Sequence, residues 1–205
     1  MIAIVDYGMG NLGSIANMLR KLGAQASITA DAAQLGEASK LILPGVGAFD
    51  AAMERIDSRG LRPILEQRVL ADRVPLLGIC LGMQLLTRSS EEGRRPGLGW
   101  INARTLAFRA RIDPTLKSPH MGWNVVSLNV PSPLTAGFAA IPEPRFYFVH
   151  SYFVECADPT QSILRTTHGV SYDSGVQLGN IFGVQFHPEK SHRFGMRLLQ
   201  NFVSL

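Results

Sequence analysis

Cys80 and the pair His187 and Glu189 are the residues of this chain whose types and spacing suit covalent chemistry. Cys80 lies in Gly78-Ile79-Cys80-Leu81-Gly82, and the pair lies in the run GVQFHPEKS from Gly183 to Ser191. A thiol, an imidazole and a carboxylate are the parts of a nucleophile, its proton carrier and the group that orients that carrier. Cys80 follows the apolar run Val74–Ile79, which fits a strand buried on both faces. Leu81–Leu86 after it is composed like the first turns of a helix. Small residues on both sides of a nucleophile suit a sharp strand-to-helix turn, where the backbone crowds itself. An inert core cysteine is the competing reading, yet a plain core strand gains nothing from two glycines beside one side chain. Cys156 has no such surroundings and reads as structural.

In an extended segment residues i and i+2 point to the same side, so His187 and Glu189 project together if Pro188 keeps the chain extended. Both then sit at the end of a strand Gly183–Phe186, where open α/β sheets place their sites. The turn Pro44-Gly45-Val46-Gly47 also follows an apolar strand, Lys40–Leu43. It can aim main-chain N–H groups inward, and with the N–H of Leu81 it offers two donors to a developing oxyanion. Loss of one such donor typically costs about 10²–10³ in rate. An ordinary strand-to-helix loop fits the same four residues.

Stepwise reading of the first half gives strands at Ile2–Asp6, Ala26–Ala30 and Lys40–Leu43. Helices carry Leu12, Ile15, Leu19 and Leu22, ended by Gly23, and then Leu61, Ile64, Leu65 and Val69. This alternation predicts an α/β fold with a mostly parallel central sheet and helices on both faces. Ser89–Gly99 reads as a loop. Beyond it, strands are expected at Ile101–Phe108, Trp123–Leu128, Arg145–Glu155 and Ser162–Thr167. A hairpin of Val176–Leu178 with Asn180–Phe186 and a final helix carrying Phe194, Leu198 and Phe202 complete an antiparallel extension. One domain over residues 1–205 is the economical reading.

Net charge is +4 with scattered basic residues, which gives no stripe for nucleic acid. The longest strongly apolar stretch, Val74–Leu86, is too short to cross a bilayer. With two cysteines and no cleavable signal pattern at MIAIVDYG, a cytoplasmic protein is expected. His120, His150, His168, His187 and His192 share no ligand spacing, so no metal and no cofactor are expected. Gly8-Met9-Gly10-Asn11-Leu12-Gly13, with Asp31 farther on, has the outline of a dinucleotide-binding fingerprint. Asp6-Tyr7 before the first glycine counts against it, and a dinucleotide-binding oxidoreductase remains the distant alternative.

Six motifs occur in order: IVDYGMGN, LPGVGAF, GICLGMQLL, PHMGWN, FVHSY and GVQFHPEKS. Together they resemble the glutaminase subunits of imidazole glycerol phosphate synthase, within the class I, triad-type glutamine amidotransferases. The resemblance implies that Cys80 attacks the side-chain amide of L-glutamine, that His187 moves the protons and that Glu189 orients His187. It implies oxyanion donors at Val46 and Leu81, and substrate contacts at Gly45, Gly47, Gln84, Ser151 and Tyr152. It also implies a (β/α)₈-barrel cyclase partner that receives the ammonia and makes imidazole glycerol phosphate and an aminoimidazole carboxamide ribotide in histidine biosynthesis. Tyr7, Met9, Asn11, Met121, Trp123, Asn124 and Lys190 would face that partner. The sequence departs from the pattern at Thr87-Arg88 and Ser118, and similar glutaminases feed a sugar amidotransferase in surface-polysaccharide synthesis. That is the alternative acceptor.

Overall fold

The computed structural model describes all 205 residues. In chain order the first half runs β1 (Ile2–Val5), α1 (Leu12–Lys21), β2 (Ala26–Thr29), α2 (Ala32–Glu37), β3 (Lys40–Gly45), α3 (Phe49–Ser58), α4 (Leu61–Glu66), β4 (Leu76–Cys80) and α5 (Leu81–Leu85). The second half runs β5 (Ser89–Ser90), β6 (Ala103–Ala107), β7 (His120–Val125), β8 (Ser127–Leu128), β9 (Arg145–His150), β10 (Tyr152–Cys156), β11 (Ser162–His168), β12 (Val170–Leu178), β13 (Ile181–Val184) and α6 (His192–Val203).

The main sheet has the order β2-β1-β3-β4-β13-β12-β10-β6-β5. Its first five strands are parallel, and β12, β10 and β6 continue it antiparallel. Alternate residues of the parallel strands divide the core in two. Val5, Leu41, Leu43 and Leu76 pack with Phe49, Leu61 and Leu65 on one face. Ile4, Ile42, Leu77 and Ile79 pack with Leu19, Leu198 and Phe202 on the other. Helices cover both faces, so the inner strands β1, β4 and β13 read as apolar runs, whereas the edge strand β2 is partly exposed.

Several boundaries differ from the sequence expectation. Two helices were not anticipated. In α3, Phe49, Ala52, Met53 and Ile56 form a buried stripe, and α2 is capped by Asp31, whose Oδ1 accepts from Gln34 N at 2.9 Å. Asp31 is therefore committed to a helix start, not to a ribose. Arg55 and Arg59 donate to Gly8 O and Asp6 O at 2.7 and 3.2 Å, filling the face of the glycine loop. The expected strand Arg145–Glu155 breaks at Ser151. Its first part, β9, pairs with β7 in a separate two-stranded sheet, and its second, β10, enters the main sheet between β12 and β6. The chain has to change sheets, and Ser151 is where it does so.

Candidate active site

Cys80 ends β4 and opens α5 with φ 55° and ψ −112°, a conformation that costs a non-glycine residue on the order of 1–3 kcal/mol. The flanking glycines make this elbow possible. A Cβ on Gly82 would lie 1.8 Å from Leu43 O, and one on Gly78 would lie 2.8 Å from Gly82 O. So α5 rests directly on the backbone of β3, and Cys80 is carried at the sheet's C-terminal edge.

His187 is held by its own N–H, which donates to Tyr147 O at 2.9 Å. Pro188–Lys190 is a 3₁₀ turn and not the extended segment expected. The pair nevertheless forms: His187 Nδ1 lies 2.8 Å from Glu189 Oε1, with both side chains almost fully buried. Ser191 closes the turn by donating to His187 O at 2.6 Å. The turn comes this close to α6 because a Cβ on Gly195 would stand 1.8 Å from Pro188 O. Burial alone would lower the His187 pKa, but the Cys80 sulfur and the Glu189 carboxylate outweigh it and raise the value to about 10. Nε2 is buried without a hydrogen-bond partner, the atom left open to the cavity it shares with Cys80.

That cavity, about 370 Å³, is bounded by Val46, Gly47, Leu81, Gln84, Glu92, His150, Ser151, Tyr152 and Lys190 as well as Cys80 and His187. The volume lies in the range of small-molecule sites. A larger cleft of about 610 Å³ shares Ser151 and Tyr152 but reaches neither Cys80 nor His187. Cys80 and His187 both line the smaller space.

Most expected site residues converge there; three do not behave as expected. Gly45 is buried inside β3, where a Cβ would meet Tyr7 Oη at 2.5 Å and Leu81 Cβ at 2.9 Å, so the rim is made by Val46 and Gly47 instead. Tyr7 is fully buried and cannot present its ring to a partner; its hydroxyl donates to Pro44 O at 2.6 Å and steadies the loop from behind. Asn124 is turned inward, with Nδ2 bonded to Thr167 O at 3.0 Å. Of the others, Met121 and Trp123 are exposed, Met9 and Asn11 are half-buried, the first beside Gly47 and the second at the start of α1, and Lys190 Nζ stands 5.6 Å from the Tyr147 ring at the pocket mouth. Val46 and Gly47 are exposed, and their N–H groups donate to no acceptor in the chain. Leu81 is the first residue of α5.

Glu92 and Gln185 escaped the sequence reading. Glu92 sits in a polar loop with no periodicity to mark it; burial raises its pKa, partly offset by Phe49 N, which donates to it at 3.1 Å. Gln185 is completely buried, accepts from Gln84 Nε2 at 3.1 Å and lies 3.8 Å from Cys80 Sγ through its own Nε2. Its place two residues before His187 was the available signal.

Residues 3–205 match the profile of the class-I glutamine amidotransferases. The chain is 52% identical to imidazole glycerol phosphate synthase subunit HisH 2 of Methanococcus maripaludis, covering 99% of this chain and 98% of that one. It is 47% identical over the full length of both chains to the protein of the same name from Pseudomonas aeruginosa, and 49% to subunit HisH of Bdellovibrio bacteriovorus. Among solved structures, a glutamine amidotransferase superposes with a TM-score of 0.76 at 17% identity over 100% of this chain and 98% of that one. PurLQS from Thermotoga maritima gives 0.73 at 20% identity over 99% and 97%. These two show the shared fold.

The chain belongs to the class-I glutamine amidotransferases, and is a glutamine-hydrolysing enzyme subunit. Within that class it belongs to the family of HisH subunits of imidazole glycerol phosphate synthase.

Proposed function

We propose that residues 1–205 form one glutaminase domain that supplies ammonia to a cyclase subunit in histidine biosynthesis, with Cys80, His187 and Glu189 as its catalytic triad. The observation that carries the triad is the buried imidazole–carboxylate pair, 2.8 Å apart, opening through Nε2 into the cavity that holds the elbow cysteine.

The Cys80 sulfur attacks the carboxamide carbon of glutamine, and the C–S bond forms as the carbonyl electrons move to oxygen. The N–H groups of Val46 and Leu81 stabilise that oxygen. His187, protonated at Nε2, gives its proton to the amide nitrogen; the C–N bond breaks, ammonia leaves and a thioester remains. His187, now neutral, takes a proton from water, whose oxygen attacks the thioester. The C–S bond then breaks, releasing glutamate and restoring the pair. Glu189 keeps Nδ1 protonated throughout. Gly47, Gln84, Ser151 and Tyr152 shape the substrate's resting place, and the Glu92 carboxylate is placed to meet its ammonium group.

Ammonia released into water becomes ammonium and loses its nucleophilic lone pair, so delivery into a partner is the useful outcome. Met121, Trp123, Lys190, Met9 and Asn11 are proposed to meet that partner, a (β/α)₈-barrel cyclase, and the cytoplasm is the expected compartment. No helix is long and apolar enough to cross a membrane.

In the reconstituted complex, Cys80→Ala is expected to abolish glutamine-dependent synthesis while synthesis from added ammonium salt and subunit association persist. Surviving glutamine turnover would overturn the triad. Recovery of the chain with a sugar-modifying synthase, and not a cyclase, would overturn the acceptor.

A further inference from the structure

A buried run of polar side chains joins β7 to the wall of the glutamine pocket, and its two ends dictate where each proton sits. At the outer end, Asn124 Oδ1 accepts from Val125 N at 2.8 Å, which fixes Nδ2 as the atom facing His120 Nε2 at 3.1 Å. An amide nitrogen only donates, so His120 Nε2 is unprotonated and Nδ1 carries the hydrogen. Nδ1 lies 3.0 Å from Tyr172 Oη and 3.3 Å from His150 Nε2. At the inner end, His150 Nδ1 stands 2.8 Å from Tyr152 O. A carbonyl only accepts, so this Nδ1 is protonated and His150 Nε2 accepts, from Tyr172 Oη at 3.2 Å. Gln84 Nε2 donates to the same carbonyl at 3.0 Å.

Both rings are then neutral: a second proton on His120 would face the Asn124 amide nitrogen, and one on His150 Nε2 would face the Nδ1–H of His120 at 3.3 Å. Their surroundings agree. Phe108 lies against His150 and Tyr172 with centroids 5.3 Å apart, and Phe148 stacks on His120 at 4.8 Å. Burial lowers the pKa of His120 to about 4 and of His150 to about 3. The titratable groups facing them, His168 and His187, push the same way for the pair.

We infer that His120, Tyr172 and His150 are positioning residues whose one-way hydrogen-bond chain sets the Tyr152 carbonyl, and through it Gln84, in register with β7. The inference rests on reading Gln84, Ser151 and Tyr152 as the glutamine wall. β7 pairs along its backbone with β9. Alternate residues of β7 face outward (Met121, Trp123) and inward (His120, Asn124), so the chain's first two members share a strand with the exposed pair.

The test is steady-state glutamine hydrolysis in the saturated complex. His150→Leu removes the inner donor and is expected to raise KM for glutamine about tenfold, with kcat changed less than about threefold. His150→Asn puts an amide N–H where Nδ1 stood and restores KM to within about threefold; His150→Gln places it where Nε2 stood and does not. Asn124→Asp, acceptor-only, forces the His120 proton onto Nε2 and raises KM by a similar factor, and adding it to His150→Leu makes KM no worse. An unchanged KM in His150→Leu, equal rescue by Gln and Asn, or additive effects would each overturn the inference. Should the variants not fold, nitrogen-15 spectra of the wild-type chain decide it: both rings are expected as Nδ1–H tautomers, and an Nε2–H on either sinks the chain. A wild-type complex that does not hydrolyse glutamine would instead sink the functional reading beneath it.

Discussion

At the scale of single residues, the proposed triad rests on how His187 holds its proton between Cys80 and Glu189. The imidazole of His187 is raised to about 10 by its sulfur and carboxylate neighbours. A raised histidine contributes stability that is complete below its unfolded value near 6.5 and is lost as pH rises through about 10. Glu189→Gln removes the carboxylate but keeps the shape. It should lower the His187 pKa, seen in the ring-proton NMR shift, flatten the loss of melting temperature between pH 7 and 10 relative to wild type, and cut kcat about 10²–10⁴-fold. The pairing of His187 with Glu189, and the cavity that His187 shares with Cys80, were legible in the sequence only in combination, since neither the cysteine nor the His-Pro-Glu triplet alone marks a site. Glu92 was not, because a lone carboxylate in a glycine-rich loop has no pattern until the fold brings that loop to the pocket. The mutual contact of His120, His150 and Tyr172 was equally hidden: three residues on three strands carry no shared spacing.

At the scale of elements, close backbone approach sets the geometry. Gly82 lets α5 lie on β3, and Gly195 lets α6 receive the turn of His187 and Glu189. Gly82→Ala is expected to cost about 3 kcal/mol, because the obstructing atom is a backbone carbonyl that cannot step aside; the melting temperature should fall on the order of 10 °C by calorimetry. Parallel strands and most of their helices were readable from apolar runs and helical stripes; Phe49, Ala52, Met53 and Ile56 of α3 carry the same kind of signal. The break at Ser151 was not readable. Arg145–Glu155 alternates like one long strand, and local pattern cannot tell that its halves join different sheets. That break is what turns His150, Ser151 and Tyr152 into a pocket wall.

At the scale of the whole molecule, the pocket opens beside a face that the chain leaves apolar. Met121 is 62% exposed and Trp123 46%, and Trp123 stacks on His192 next to Tyr147 and Lys190. The proposed docking of a cyclase here predicts that Trp123→Glu weakens association by roughly 2 kcal/mol or more, measured by titration calorimetry, while the isolated chain melts as before. Unchanged affinity would move the interface elsewhere on the surface. The sequence motifs pointed to this face, but not to the inward turn of Asn124 or the burial of Tyr7, since a motif carries no direction for its side chains.

The backbone at Cys80 has one further consequence. A chain on the ribosome, or one that has come apart, rarely visits the dihedral angles 55° and −112° that lift the sulfur out of the sheet edge. If the proposed role of Cys80 holds, the presentation of its thiol beside His187 is then a property of the finished fold, because the elbow that carries it is not a local preference of the chain.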